Sequence, residues 1–232
     1  MEKNTIMSPA KANRLYWLGR YEDRVYMTLH IMGKCYDKMI DGHPDDYEAL
    51  QGRLDTGRIY ATAQDFTLGV LYDEENPSSI ISSQRFAMDN AMLLREDIMS
   101  ETLSYLEMSV ALLKRCEEAA ETNITVLQPI IDWSLAFWGS AEQRLLNHKA
   151  LMLMMIGRNV ENIDIQLRFG YPLRRLVLAF DSLRRYCKEL PELVDAEMEE
   201  EIDRLLDAET YHPDDAECVG KLLQAVNRLV KV

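Results

Sequence analysis

The chain has 232 residues, 47% of them hydrophobic and 28% charged, enough apolar material for a packed core and too much for a disordered chain. Its net charge of −13 sets it against nucleic acid and anionic membrane as partners, because both would repel it. The longest unbroken apolar run, Ala150 to Ile156, is far below the roughly 18 residues that span a bilayer, and the first residues lack the basic start and apolar core of a signal peptide. A cytoplasmic location is therefore expected.

Ser8 followed by Pro9 has the form of a helix cap and first helical position, and the helix is expected to run to the "DGHP" stretch at Asp41 to Pro44. Leu15, Leu18, Glu22, Val25, Leu29, Met32, Tyr36 and Met39 succeed one another at steps of three and four, the spacing of a bundle seam. A short helix is expected over Asp45 to Leu54, and "TAQD" at Thr62 to Asp65 resembles the start of another. Asn76 and Pro77 then suit the cap and first position of a second long helix, from Pro77 to about Ala120. Its apolar row comprises Ile80, Ala87, Ala91, Leu94, Ile98, Tyr105 and Leu112, with Arg85, Asn90, Arg95 and Glu101 on or near it.

Pro129 opens a shorter helix to about Trp138, and Gly139 and Ser140 lead into a third long one, Ala141 to Phe169. Pro172 begins the next, with Leu173, Leu176, Phe180, Leu183, Cys187 and Leu190 on one side. Two more follow before the C-terminus. No stretch alternates with period two, and Gly and Pro gather at the breaks. The pattern predicts an all-α protein, an antiparallel bundle of long helices forming one domain over residues 1–232.

Charge is unevenly spread. Eleven Asp and Glu against one Arg lie between Asp195 and Glu217, whereas Arg168 to Lys188 holds six basic residues and only Asp181. Two neighbouring segments that compensate each other is the plain expectation; a basic surface for an acidic partner or a phosphate is the sharper one. Cys35, Cys116, Cys187 and Cys218 lie far apart with no C-x-x-C pair and read as buried thiols.

One arrangement occurs twice. Placing Gly19 on Gly157 puts Arg20 on Arg158, Asp23 on Glu161, and Leu15, Leu18, Val25 and Leu29 on Leu153, Ile156, Ile163 and Leu167. Such a match suggests two related half-bundles. Glu22 sits on the seam, where the second copy has Val160, while Arg20 and Asp23 sit off it. The turns preceding both motifs are apolar all round, and a glycine inside a helix, about 1 kcal/mol worse than Ala, suggests the close approach of another helix. An Arg beside such a crossing must be paired, which predicts a buried network of Arg and carboxylate.

Few known chemistries fit. There is no G-x-x-x-x-G-K-[ST] phosphate loop, no H-E-x-x-H and no G-x-S-x-G elbow. A lone Glu-x-x-His, Glu209 and His212, precedes Pro213, whereas carboxylate-bridged di-metal bundles use two such pairs. No cofactor or metal is therefore expected in this chain.

Three blocks, "LYWLGRYEDR" from Leu15, "NPSSIISSQRFAMDNAMLLREDIMSET" from Asn76 and "IGRNVENID" from Ile156, together resemble the bacterial alpha-E family, a helical domain of undefined function. The resemblance implies weight for Arg20, Asp23, Arg24, Asn76, Arg85, Asn90, Arg95, Glu101, Arg158, Glu161 and Asp164. Asp23 stands where Glu is usual, Glu22 where an apolar residue is usual, Tyr26 where an acid is common, and Asn162 where the family often has Arg. Members are commonly encoded beside, or fused to, ATP-grasp-like proteins resembling peptide or amide ligases. The resemblance thus implies an ATP-grasp-like partner, with ATP and Mg on that partner, and a peptide or amino-acid-like substrate; a homo-oligomer stays open.

The leading expectation is an accessory or substrate-binding component of an ATP-grasp-linked ligation or peptide-modification pathway. It would act through Arg20, Asp23, Arg85, Asn90, Arg95, Glu101, Arg158, Glu161 and Asp164. Arginines of this kind can clamp a carboxylate or phosphate, and a Glu among apolar side chains can serve as acid or base. The alternatives are an enzyme performing acyl or amide transfer or hydrolysis itself, and a structural adaptor in which these charges only fix helix register.

Overall fold

In the computed structural model, residues 7–40, 46–54, 57–145 and 147–232 are described; the "DGHP" stop and His43 lie outside them. Eleven α-helices account for most of these residues, in the order α1 (Pro9–Ile40), α2 (Asp46–Gln51), α3 (Ala63–Tyr72), α4 (Ile80–Leu93), α5 (Arg95–Ile98), α6 (Ser100–Glu118), α7 (Gln128–Arg144), α8 (His148–Arg168), α9 (Leu173–Cys187), α10 (Ala196–Leu205) and α11 (Ala216–Arg228). The described residues contain no strand, only an isolated antiparallel bridge between Val194 and Val230. The protein is an all-α helical bundle.

The helix starts follow local chemistry. The Ser8 hydroxyl accepts from the Lys11 amide at 3.3 Å ahead of α1, and Thr62 accepts from the Asp65 amide at 3.1 Å at the start of α3. Asp195 and Asp215 cap α10 and α11 through the amides two and three residues on. Along α1 the seam residues Leu15, Leu18, Glu22, Val25, Leu29 and Met32 are at most 1% exposed.

Three boundaries differ from the sequence pattern. Asn76 does not cap a helix at Pro77: its side chain accepts from the Ser78 amide at 2.9 Å, closing a turn, and Ser79 caps α4 by accepting from Ser82. The expected second long helix is three helices. The chain reverses at Met99, where φ is +68°, a left-handed backbone costing about 1–3 kcal/mol beside the fully buried Ile98. Gly139 does not end a helix either. Burial of Phe137, Trp138 and Ala141 along one face outweighs the roughly 1 kcal/mol propensity loss of one glycine, so α7 continues to Arg144 and the break falls before Asn147, which caps α8 through the Ala150 amide at 3.2 Å.

The chain divides into two compact units, residues 1–20 with 145–232, and residues 21–144. In the first, α8 packs on α9 and α11, and α10 packs on α11. In the second, α6 packs on α4 and α7, and α3 on α4. The core of this second unit joins Val25, Leu29, Leu71, Ile80, Ile81, Leu113 and Ile130. All four cysteines are buried free thiols, and no helix among the described residues is long and apolar enough to cross a membrane.

Candidate functional site

The repeated glycines face each other. A Cβ on Gly19 would collide with the backbone carbonyl of Met154 and press on the amide of Arg158, and one on Gly157 would collide in the same way with the carbonyl of Tyr16 and the amide of Arg20. Each contact maps onto the other when the two copies are exchanged. The N-terminal part of α1 and the middle of α8 therefore cross at backbone contact, with a local pseudo-twofold relation between the two copies. Both glycines lie in the unit of residues 1–20 and 145–232, so one unit joins the two copies there instead of each unit owning one.

At this crossing Arg20, only 4% exposed, donates from Nε to a Glu161 carboxylate oxygen at 2.7 Å. One terminal nitrogen donates to the Asn227 side-chain oxygen at 2.7 Å, and the other lies 4.0 Å from Asp164. Asn227 donates in turn to Asp164 at 2.7 Å, and Arg168 donates to the second Asp164 oxygen at 2.6 Å. The guanidinium also lies over the Trp17 ring, 5.0 Å from its centroid, and 5.9 Å from that of Tyr16, within cation–π range. Burial opposes the charge on Arg20, but the fields of Glu161, Tyr16 and Asp164 and the hydrogen bond to Glu161 outweigh it, holding the guanidinium protonated above its ordinary range. Burial likewise raises the pKa of Tyr16, against the pull of Arg20.

Of the residues singled out in the sequence, this unit gathers Arg20, Glu161 and Asp164 into one network. Arg158 is half-buried on α8. Asn227 and Arg168 complete the network. Arg168 has a legible signal, four residues after Asp164 on the same helix face. Asn227 has none, since it comes from α11 and its contacts span 207 and 63 residues of sequence.

The other candidates belong to the unit of residues 21–144. Asp23 is 2% exposed, and Arg24 is half-buried with its guanidinium 5.6 Å from the Tyr21 ring centroid. Glu22, the charged residue on the apolar seam, is 1% exposed; it accepts from the Ser134 hydroxyl at 2.7 Å and from the Gln84 amide at 3.5 Å. Ser134 and Gln84 carry no signal that pairs them with Glu22. Arg85 is exposed and bridges to Glu74 at 2.7 Å, Glu101 is exposed and bridges to Arg144 at 3.3 Å, Arg95 is exposed, and Asn90 is half-exposed.

Among the described residues no three His, Cys, Asp or Glu side chains group as a metal site. Glu209 and His212 lie between α10 and α11, outside either helix, so the shared helix face that a Glu-x-x-His pair needs is missing.

A family model described as a predicted alpha-helical domain with a conserved ER motif matches residues 7–170. This chain has no Glu-Arg dipeptide: Asp23–Arg24 in the first copy keeps the Arg, and Glu161–Asn162 in the second keeps the Glu. Helices α9 to α11, and with them Asn227, lie beyond the matched span. No curated protein and no solved structure matches the chain.

Proposed function

The chain belongs to the alpha-E family, and from that membership we propose that it is a non-catalytic accessory component of an ATP-grasp-linked pathway that makes or modifies peptide or amide bonds. The pathway is inferred from the company the family keeps. The accessory role is supported by one observation: the guanidinium of Arg20 is engaged by Glu161 and Asn227 and stacked on Trp17, so its binding capacity is directed at its own helices. In this reading the polar centre fixes the register of α1 against α8, and ATP with Mg is handled by the partner. An all-helical chain without a phosphate loop suits that division.

The test is reconstitution with an ATP-grasp-like ligase. The isolated chain is expected to be inert, and the pair to form an amide product only when both proteins and ATP are present. Glu161→Gln is expected to lower that activity only as far as it lowers the folded fraction, with activity returning on cooling. Turnover by the isolated chain, or a Glu161→Gln protein of unchanged melting temperature with no activity in the pair, would place chemistry at this centre and overturn the accessory role. Failure of the two proteins to associate would remove the pathway.

A further inference from the structure

A cavity of about 230 Å³ opens in the unit of residues 21–144, between the C-terminal half of α1 and the segment running from the 3-10 turn Ile124–Leu127 into α7. Its floor is apolar, made by Leu29 and Ile131 with Ile124, each at most 8% exposed. Gly33 lines the same space, and a Cβ built there would meet nothing within 4 Å. On the wall stand Lys34 and Asp37, three residues apart on one face of α1, a spacing that puts Cβ atoms roughly 5–6 Å apart. Such a pair could close on itself. Among the described residues, however, neither the Lys34 nor the Asp37 side chain makes an ion pair or a hydrogen bond, and both are exposed. Across the cavity Gln128 donates to Asp132 at 3.2 Å, which leaves its carbonyl oxygen as an acceptor.

We infer that this cavity binds a small zwitterion, an α-amino acid with an aliphatic side chain. Lys34 takes the carboxylate and Asp37 the ammonium, with the carbonyl of Gln128 as a second acceptor for the ammonium. The side chain lies on Leu29, Ile124 and Ile131, over the gap that Gly33 leaves. Opposite charges one helical turn apart match a ligand carrying both charges at one end, which disfavours a dicarboxylate or a diamine. The volume, below the roughly 300–1,000 Å³ of drug-sized sites, suits a single amino acid. This site is separate from the Arg20 network and stands whether or not the chain serves a ligase.

The experiment is calorimetric titration of the full chain with leucine, N-acetylleucine and leucinamide, the last two each lacking one charge. Leucine is expected to bind, and each blocked analogue to bind at least about tenfold more weakly. Lys34→Ala and Asp37→Ala should each weaken leucine binding by about the same factor. Gly33→Leu starts from a Cβ that meets nothing within 4 Å and sends its side chain into the gap; it is expected to keep or raise the melting temperature and to abolish binding. Absence of leucine binding by the unmodified chain, equal binding of all three compounds, or undiminished binding by Gly33→Leu overturns the proposal.

Discussion

Arg20 is a charge that folding takes almost wholly out of water, and such a group is tolerated only while its partners remain. Truncating one member of a buried pair leaves the other uncompensated, a loss of about 3–5 kcal/mol. Arg20→Ala and Glu161→Ala are each expected to destabilise the chain by that amount in urea unfolding. The double variant Arg20→Met with Glu161→Met should recover most of the loss, because two apolar side chains carry no desolvation penalty. A double variant that loses the sum of the two singles would show that the pair does not act as one unit. Asn227→Ala removes a neutral bridge and should cost less, about 1–2 kcal/mol. Glu22 shows where sequence reading stops at this scale: its place on an apolar seam marked it as an anomaly, but Ser134 and Gln84, 112 and 62 residues away, are joined to it only by the packing of α4 and α7 around α1.

Between helices, the two repeated glycines do what their side chains would forbid. Gly19 meets the backbone of Met154 and Gly157 that of Tyr16, and a carbonyl held in a helix cannot move aside as a flexible side chain can. Gly19→Ala and Gly157→Ala are each expected to destabilise the chain by at least about 1–3 kcal/mol, the usual cost of overpacking, although alanine is the better helix former. Gly33, on the same helix as Gly19 but facing open space, supplies the control: Gly33→Ala should stabilise by up to about 1 kcal/mol through helix propensity alone. Thermal melts of the three variants check this, and a stabilised Gly19→Ala would mean that the helices do not touch there. The crossing could be anticipated from the sequence because glycine inside an apolar helical stretch has few other uses. The break at Met99 could not: the local sequence "LREDIMSE" contains no glycine, proline or asparagine, and tertiary packing imposes the left-handed residue against local preference. The break before Asn147 had a signal, an Asn cap, which Gly139 obscured.

For the whole chain, the net charge of −13 matters less than how the charges are spent. Between the basic and acidic segments, Arg184 of α9 reaches Asp203 and Glu199 of α10. These pairs are partly exposed, so each contributes little. The larger dependence on pH comes from uncharged groups. Burial raises the pKa values of Tyr16, Tyr72 and Tyr211, and it raises those of the Cys116 and Cys187 thiols, Cys187 to about 12. In the unfolded chain these groups lose their protons near their ordinary values, 9.0 for Cys and 10.0 for Tyr. The folded chain holds them longer. Above about pH 9 the unfolded state therefore binds fewer protons than the folded one, and stability falls as pH rises. It is complete below the ordinary values and lost on the way up through the raised ones. Asp195 and Glu192 act in the opposite sense at low pH, where hydrogen bonds lower their pKa values, but Glu192 is exposed and Asp195 partly so, and water screens both. The melting temperature is accordingly expected to be level from about pH 7 to 9 and to drop steeply above it. The measurement belongs at high ionic strength, where repulsion among the exposed acids is screened. Cys187→Ala should lower the melting temperature at neutral pH, by loss of packing, yet flatten the alkaline decline. A melting temperature that stays level to about pH 11 would show that these thiols and phenols are not buried as described.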